Sequence, residues 1–433
     1  MNWSNILQYF RQRWHWLSVG IGLKRWLVLF LLGAAFLGVG LTAGWVWLIR
    51  TLDLTETRLY DITRLSWLPL WVIAVLFLLL SIVLISVALW RMGSNLVAPF
   101  RDSDEVSVAE AIYNYQQRNN GPHIVAIGGG TGLSTLLRGL SRYTRNITAI
   151  VTVADDGGSS GRLRRDFGIL PPGDFRNNLA ALSRDEALMT QLLQYRFSSA
   201  GDQASELDGH AFGNLLIAAL AGLTGSFEEA LVAAQNVLAI RGRVFPSTLE
   251  PIQLEADIRL KNGRLIHVEG ESAIPKADGV IEQLSVSPAN ARAYPEAVRA
   301  VLQADLIVLG PGSLFTSLLP NLLVRDLLLA VQNAKAPKIY VCNSATQAGE
   351  TAGFSVQDHL EQLLRYIPDD CVDTVLANDN FAVFAQKNMA EFTAVPLSKL
   401  DRCQLVTADL VDDSYPWKHD RDKLAKALFS LLS

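Results

Sequence analysis

The sequence predicts an α/β fold. It should be a mostly parallel sheet covered by helices on both faces, with a small antiparallel insertion, preceded by two transmembrane helices. Three observations carry this. Short, wholly apolar runs alternate with helical patterns from residue 122 onward. Three of those runs break into glycine-rich turns, and two long uncharged runs lie near the N-terminus. Strands buried on both faces read as continuous apolar runs, which is the signature of a parallel sheet.

At 433 residues the chain has room for two or three units. A net charge of −4 gives no electrostatic case for nucleic acid. The three cysteines, Cys342, Cys371 and Cys403, are far apart and odd in number, so they supply neither a disulfide framework nor a zinc spacing. They suit a reducing compartment. No H-x-x-x-H pair occurs among the histidines, so a zinc or iron site is not expected.

Residues 1–90 read as a membrane anchor. Trp26 to Ile49 carries no charge, and neither does Leu65 to Trp90. Each is about long enough to cross a bilayer as a helix, with spans expected at about 26–49 and 66–90. Trp26, Trp45, Trp47, Trp67, Trp71 and Trp90 lie toward the run ends, as interfacial anchors do. Arg11, Arg13, Lys24 and Arg25 before the first span, with Arg91 and Arg101 after the second, outweigh the basic residues of the connecting loop. The positive-inside rule then makes this a multi-pass protein of the cytoplasmic membrane with both termini in the cytoplasm. Residues 91–121 read as a linker, in which Asp102 or Ser103 would cap a helix through Ile112 to Arg118.

The domain from 122 to 433 is organised around its first two turns. Ile124 to Ile127 runs into Gly128, Gly129, Gly130, Thr131 and Gly132, and a helical pattern follows with Leu133, Leu136, Leu137 and Leu140 on one face. Ile147 to Val153 then ends in Asp155, Asp156, Gly157, Gly158, Ser159, Ser160 and Gly161. Glycine allows the positive φ of an abrupt strand-to-helix turn and a close approach of backbone N–H groups to an anion. The helix N-terminus adds free donors and the positive end of a dipole. Arg162, Arg164 and Arg165 could add charge-assisted bonds. A phosphate or diphosphate ligand is the expectation. Leu133 stands where the dinucleotide fingerprint wants its third glycine, so a nicotinamide site is disfavoured.

Further along, Asp174 is expected to cap a helix whose first turn holds Arg176, Asn177 and Asn178. That helix is expected to run through Leu192 to Phe197. His210 and Asn214 head the apolar helix Leu215 to Leu223, either as ligand contacts or as a satisfied core pair. Asp155 and Asp156 read either as turn formers or as magnesium ligands beside a diphosphate, and Asp174 as a second ligand or base. Alternation at Ile252, Leu254, Ala256, Ile258 and Leu260, then Asn262-Gly263, predicts an antiparallel insertion over about 244–287. Ala304 to Leu309 is a third parallel-type strand, ending in Gly310, Pro311, Gly312 and Ser313. Strands are expected again at Lys338 to Cys342, Val372 to Ala377 and Leu405 to Asp409, and a terminal helix at Lys418 to Leu432.

Together these motifs resemble the CofD/YvcK-like family, over about residues 122–433. The matching stretches are Gly128 to Gly132, Asp155 to Arg164, Pro171 to Asn177, Gly209-His210 with Phe212 to Leu215, Arg241 to Arg243, Ala293 to Ala297, and Gly310 to Leu314. The chain looks closest to the gluconeogenesis-factor branch. The resemblance implies a Rossmann-like three-layer domain that binds a nucleotide-sugar of the UDP-N-acetylglucosamine type, with a role in cell shape, envelope synthesis and growth on gluconeogenic carbon. A homo-oligomer and envelope-synthesis partners are expected. No cofactor is required for binding. The related 2-phospho-L-lactate transferases instead use a nucleotide-activated donor and magnesium, with Asp155, Asp156 and Asp174 as the catalytic candidates here. The family's T-Q-P-G-E-T-D-G-Y segment is replaced by Thr346 to Phe354, with Ala348, Ala352 and Phe354 at the changed positions.

Overall fold

The computed structural model describes residues 23–52, 69–97, 121–198, 205–387 and 393–432. The chain divides into two units, Met1–Tyr115 and Gln116–Ser433. The helix expected between Asp102 and Arg118 lies outside the described residues.

The first unit holds two long apolar helices, Leu23–Thr51 and Leu70–Val97. Within them Arg25–Ile49 and Trp71–Ser94 are long and apolar enough to cross a membrane. The second helix runs past Trp90, because Arg91 to Val97 contains no proline to stop it. The two pack antiparallel. A Cβ on Gly33 would lie 2.8 Å from Ile85 Cγ1, one on Gly40 3.1 Å from Leu78 Cγ, and one on Gly44 3.7 Å from Ala74 Cβ. Small residues let the backbones approach where lipid supplies no hydrophobic drive to associate. At one end the Arg91 guanidinium lies 5.5 Å from the Trp26 ring. Leu31, Leu41, Leu79 and Leu89 on the outer faces are exposed, as lipid-facing side chains would be.

The second unit is built on a seven-stranded, wholly parallel sheet: β1 (Ile124–Gly128), β2 (Ile147–Val151), β3 (Arg243–Pro246), β7 (Leu306–Leu309), β8 (Lys338–Val341), β9 (Thr374–Asn378) and β10 (Gln404–Ala408). Its order is β10-β9-β8-β7-β1-β2-β3. A separate antiparallel sheet, order β5-β4-β6, is formed by β4 (Gln253–Leu260), β5 (Leu265–Glu269) and β6 (Gly279–Ser287). Asn262-Gly263 makes the β4–β5 turn: Gly263 has φ 83° and Asn262 Oδ1 accepts from Arg264 N–H. Arg243–Pro246, expected to open the insertion, is instead the edge strand of the main sheet, paired with β2. Its apolar inner residues, Val244 and Pro246, are buried, and the insertion proper starts at β4.

The expected amphipathic helix is Gly130–Leu140, with Leu133, Leu136, Leu137 and Leu140 fully buried. Each such burial contributes about 1.5–3 kcal/mol. The helix expected from Phe175 to Phe197 is two helices, Gly173–Leu182 and Glu186–Gln194. Ser183 turns extended, and Asp185 caps the second through Leu188 N–H. The terminal helix is Arg421–Ser430, capped by Asp420, which accepts from the N–H groups of Asp422 and Lys423. It lies against the first helix at Gly139, where a Cβ would meet the Arg421 carbonyl.

The strand order places the site. From β1 the chain builds to one side through β2 and β3, then returns to the other side of β1 with β7 and continues outward to β10. Ligands of open α/β sheets bind beyond the carboxyl ends of the strands where this reversal occurs. The first and third glycine turns follow β1 and β7, so they flank that point.

Candidate functional site

A cavity of about 470 Å³ opens at the reversal point. Its walls come from the turn after β1 (Gly129 to Gly132), the turn after β7 (Pro311 to Ser313, Thr316, Ser317) and the loop after β8 (Asn343 to Gln347, Glu350). Glu271, Ser272 and Pro275 of the antiparallel insertion and Trp417, Lys418 and His419 of the C-terminal segment complete it.

The turns are close-packed. Gly130 has φ 64°, which favours glycine. A Cβ on Gly132 would come within 2.7 Å of the Pro311 carbonyl oxygen, and one on Gly129 within 2.6 Å of Asp174 Oδ2. Gly310 and Gly312 have φ 81° and 150°, and Gly312 N–H donates to Asn343 Oδ1 at 3.3 Å. Buried Asn321 ties the first turn down by donating to the Gly128 carbonyl at 3.1 Å.

Each glycine turn carries a carboxylate on its backbone donors. Asp174 accepts from Gly130 N–H. It therefore reaches back to the first turn and is not the cap of its own helix, which starts one residue earlier with Pro172 at that position. Asp155 accepts from Gly157 N–H at 2.9 Å and from Ser160. Glu350 accepts from the Ser313 and Thr316 hydroxyls and from Phe315 N–H. Removal from bulk water pushes Asp174 up to about 6, with Asp155 adding to the rise. Desolvation also raises Asp155 and Glu350. Glu271 goes furthest, to about 8, through desolvation first and then the charges of Asp155, Asp174, Asp156 and Glu350.

At the β8 end the lining is rich in unmatched polar atoms. Ser344 Oγ, Gln347 Oε1 and His419 Nε2 are buried without a hydrogen-bond partner. His419 is bonded to the Cys342 carbonyl, and burial holds it down at about 4, so its ring is neutral. A bridge between Val411 and His419 and the bond from Asp420 N–H to the Leu410 carbonyl fix it in place. A buried polar atom left unmatched costs about 1–3 kcal/mol. Three of them around one cavity are ready for a hydrogen-bonding ligand.

The residues nominated from sequence divide into two groups. Gly129, Gly130, Thr131, Gly132, Gly312 and Ser313 line the cavity; Gly128 ends β1 and Gly310 follows β7 just behind it. Asp155 and Asp174 abut it through the turns. The others sit beside it, in bonds internal to the protein. Ser159 Oγ lies 3.0 Å from His210 Nδ1 and accepts from Asn214 Nδ2 at 3.0 Å. Burial first, and Arg162 next, lower His210. Arg162 donates to the Asp208 carbonyl and Arg164 to the Ile252 carbonyl, each at 2.7 Å. Arg176 donates to Asn177 Oδ1 at 2.9 Å, while its Nε and Asn214 Oδ1 are buried without partners. Gly158, with φ 47°, starts the helix Gly158–Phe167. Asp156 Oδ1 accepts from Ser272 N–H at 2.9 Å, which fastens the insertion to the second turn.

Sequence patterns did not single out Glu271, Ser344, Gln347, Glu350 or His419 as site residues. Glu350 follows a strand end and so had a positional signal. Glu271 and His419 had none, because their elements reach the cavity only through tertiary folding.

Glycine turns, helix N-termini and a crevice at the strand reversal define a ligand-binding α/β domain of the Rossmann type. The chain belongs to the CofD family: the model of 2-phospho-L-lactate transferase CofD matches residues 124–428. It is similar to a putative gluconeogenesis factor of Nostoc, 47% identical over 354 residues, covering 81% of this chain and 75% of that one. A putative gluconeogenesis factor of Clostridium acetobutylicum is 41% identical over 431 residues, covering 95% and 90%. A crystal structure of a Bacillus halodurans protein superposes with a TM-score of 0.64 at 38% identity, covering 71% of this chain and 99% of that one. The protein is thus a gluconeogenesis-factor-like member of the CofD family with two apolar N-terminal helices.

Proposed function

We propose that this protein is a membrane-anchored regulator that binds a nucleotide-sugar of the UDP-N-acetylglucosamine type and couples it to envelope synthesis, cell shape and growth on gluconeogenic carbon. The observation that carries the reading is the two-ended cavity. Its glycine-turn end offers helix N-termini for a diphosphate. Its β8 end offers Ser344, Gln347 and His419, unmatched polar groups suited to sugar hydroxyls or an amide. The names of the relatives, gluconeogenesis factors, support the part of the role that concerns gluconeogenic carbon. The antiparallel hairpin returns the chain to the face it started from, which agrees with a cytoplasmic domain when basic flanks set the orientation. Assembly with a second copy and with envelope-synthesis proteins belongs to the same proposal.

Calorimetry on the full-length chain in detergent tests it, with UDP-N-acetylglucosamine, UDP, GDP and NADH compared. Micromolar, UDP-sugar-selective binding without turnover is expected. Indifference to every UDP-sugar would remove the reading.

One observation favours a second reading, a 2-phospho-L-lactate transferase-like enzyme with magnesium. Asp155, Asp174, Glu271 and Glu350 all have raised pKa values in one crowded region. A divalent cation would relieve that repulsion and bridge it to a diphosphate. Among the described residues no three such side chains are yet placed to hold a metal. A magnesium requirement with preference for GDP would support the transferase; binding unchanged by magnesium removal would count against it.

A further inference from the structure

His419 shows what kind of group the β8 end of the cavity is built to receive. Its backbone is fixed on both sides. Asp412 N–H donates to the Lys418 carbonyl at 3.0 Å, and Asp420 N–H to the Leu410 carbonyl at 2.7 Å. Asp420 then caps the terminal helix. The ring is tied to the main sheet as well. It bonds the carbonyl of Cys342, the residue after β8, and Cys342 N–H in turn donates to the Leu376 carbonyl of β9 at 3.0 Å. Among the described residues Nε2 is the ring nitrogen without a partner, so the bond to Cys342 is made by Nδ1. A carbonyl only accepts, so Nδ1 carries the proton. The other nitrogen of the neutral ring is then a bare acceptor. His419 is only 8% exposed, and it lines the cavity.

We propose that His419 sets the specificity of this site, its Nε2 accepting a hydrogen bond from a hydroxyl or N–H on the sugar that follows the diphosphate. The proposal rests on the UDP-sugar reading of the cavity and adds the direction of one bond. An ionised phosphate oxygen has no proton to give and cannot fill this place; an O–H or N–H can. The ligand is thereby oriented. Its phosphates lie toward the glycine turns, where the helix N-termini are, and its donor-bearing sugar lies toward β8. Ser344 Oγ and Gln347 Oε1, also buried without partners, stand at the same end for the remaining sugar groups. A ligand without the right donor leaves Nε2 unmatched and loses affinity for that reason.

The test is a cycle between ligand and residue, run by calorimetry on the full-length chain in detergent. The ligands are UDP, UDP-N-acetylglucosamine, and analogues of the latter in which one sugar hydroxyl is replaced by fluorine or the amide nitrogen is methylated. In the unmodified chain at least one analogue should bind about tenfold more weakly than UDP-N-acetylglucosamine. Two variants remove the acceptor. His419→Asn keeps an amide N–H for the Cys342 carbonyl but has no atom in the place of Nε2, and His419→Phe keeps the bulk of the ring. Both should bind UDP-N-acetylglucosamine more weakly than the unmodified chain does. In both, one such analogue should lose its penalty and bind within about twofold of UDP-N-acetylglucosamine. Melting curves show which variant is folded, and either one suffices. Should neither fold, a structure of the unmodified chain with UDP-N-acetylglucosamine decides: an Nε2 that meets no O–H or N–H of the sugar overturns the proposal. So does an unmodified chain that discriminates against no analogue, or a full set of penalties surviving in a folded variant. Those results leave the UDP-sugar reading in place as long as UDP-N-acetylglucosamine binds more tightly than UDP. If UDP binds as tightly, the sugar does not engage the cavity, and the reading falls together with the proposal.

Discussion

Gly129 has no room for a methyl group. Its φ of −172° is ordinary extended backbone, so the constraint is space and not conformation. A Cβ would sit 2.6 Å from Asp174 Oδ2 and 2.9 Å from Thr152 Cγ2. Gly129→Ala should displace the carboxylate that occupies Gly130 N–H and deform the first turn. Overpacking of this kind costs about 1–3 kcal/mol. The expected outcome is a folded protein, destabilised by that amount in denaturant titration, whose affinity for its nucleotide ligand falls at least about tenfold, since 1.4 kcal/mol is tenfold. Unchanged affinity would place the ligand elsewhere. At this scale the sequence was informative about backbone and silent about charge. A glycine-rich run after an apolar strand announces an anion-type turn. Asp155 could be read as a turn former, and it accepts from Gly157 N–H two residues on; nothing announces that Asp174 takes Gly130 N–H or that Glu350 takes Phe315 N–H, because those contacts join residues 44 and 35 positions apart in the chain.

Elements with a strong period or a strong stop were readable in advance. The helix Gly130–Leu140, strand β1 and the Asn262-Gly263 hairpin follow directly from local pattern. Strand β3 did not, because four residues with one exposed charge look the same at the edge of a parallel sheet and at the start of an antiparallel one. Sheet membership was decided by pairing with β2. The membrane hairpin makes a prediction of its own. A Cβ on Gly44 would lie 3.7 Å from the Ala74 Cβ, within the roughly 3.5–4.5 Å that a disulfide spans. Gly44→Cys combined with Ala74→Cys should therefore oxidise to an intramolecular disulfide in membranes, joining the two fragments after cleavage in the connecting loop. Pairing Ala74→Cys with Leu41→Cys, on an exposed face of the first helix, should not. Equal cross-linking of the two pairs would disprove the observed register. At the other end of the chain, the helix Arg421–Ser430 rests on Gly139, where a Cβ would also come within 2.9 Å of Ala425 Cβ. Gly139→Val should lift that helix and move His419 with it. Thermal unfolding and ligand affinity should fall together.

For the whole molecule, the site is a burden on stability, and its sign with pH can be worked out. An unfolded glutamate titrates at about 4.3, whereas Glu271 in the fold titrates at about 8. Between those values the folded state binds more protons than the unfolded state, so stability falls as pH rises through that window. Asp174, raised to about 6, adds a loss of the same sign that is complete by about pH 6. His419 works the other way: held at about 4 against about 6.5 unfolded, it contributes stability that grows as pH rises from 4 to 6.5. The two effects oppose below pH 6.5, and Glu271 alone of these three still acts above it. The melting temperature of the unliganded protein should therefore decline from pH 6.5 to 8.5, and the decline should be strongly reduced in Glu271→Gln. A melting temperature that stays level from pH 6.5 to 8.5, or one that declines equally in Glu271→Gln, would show that this carboxyl does not carry the effect.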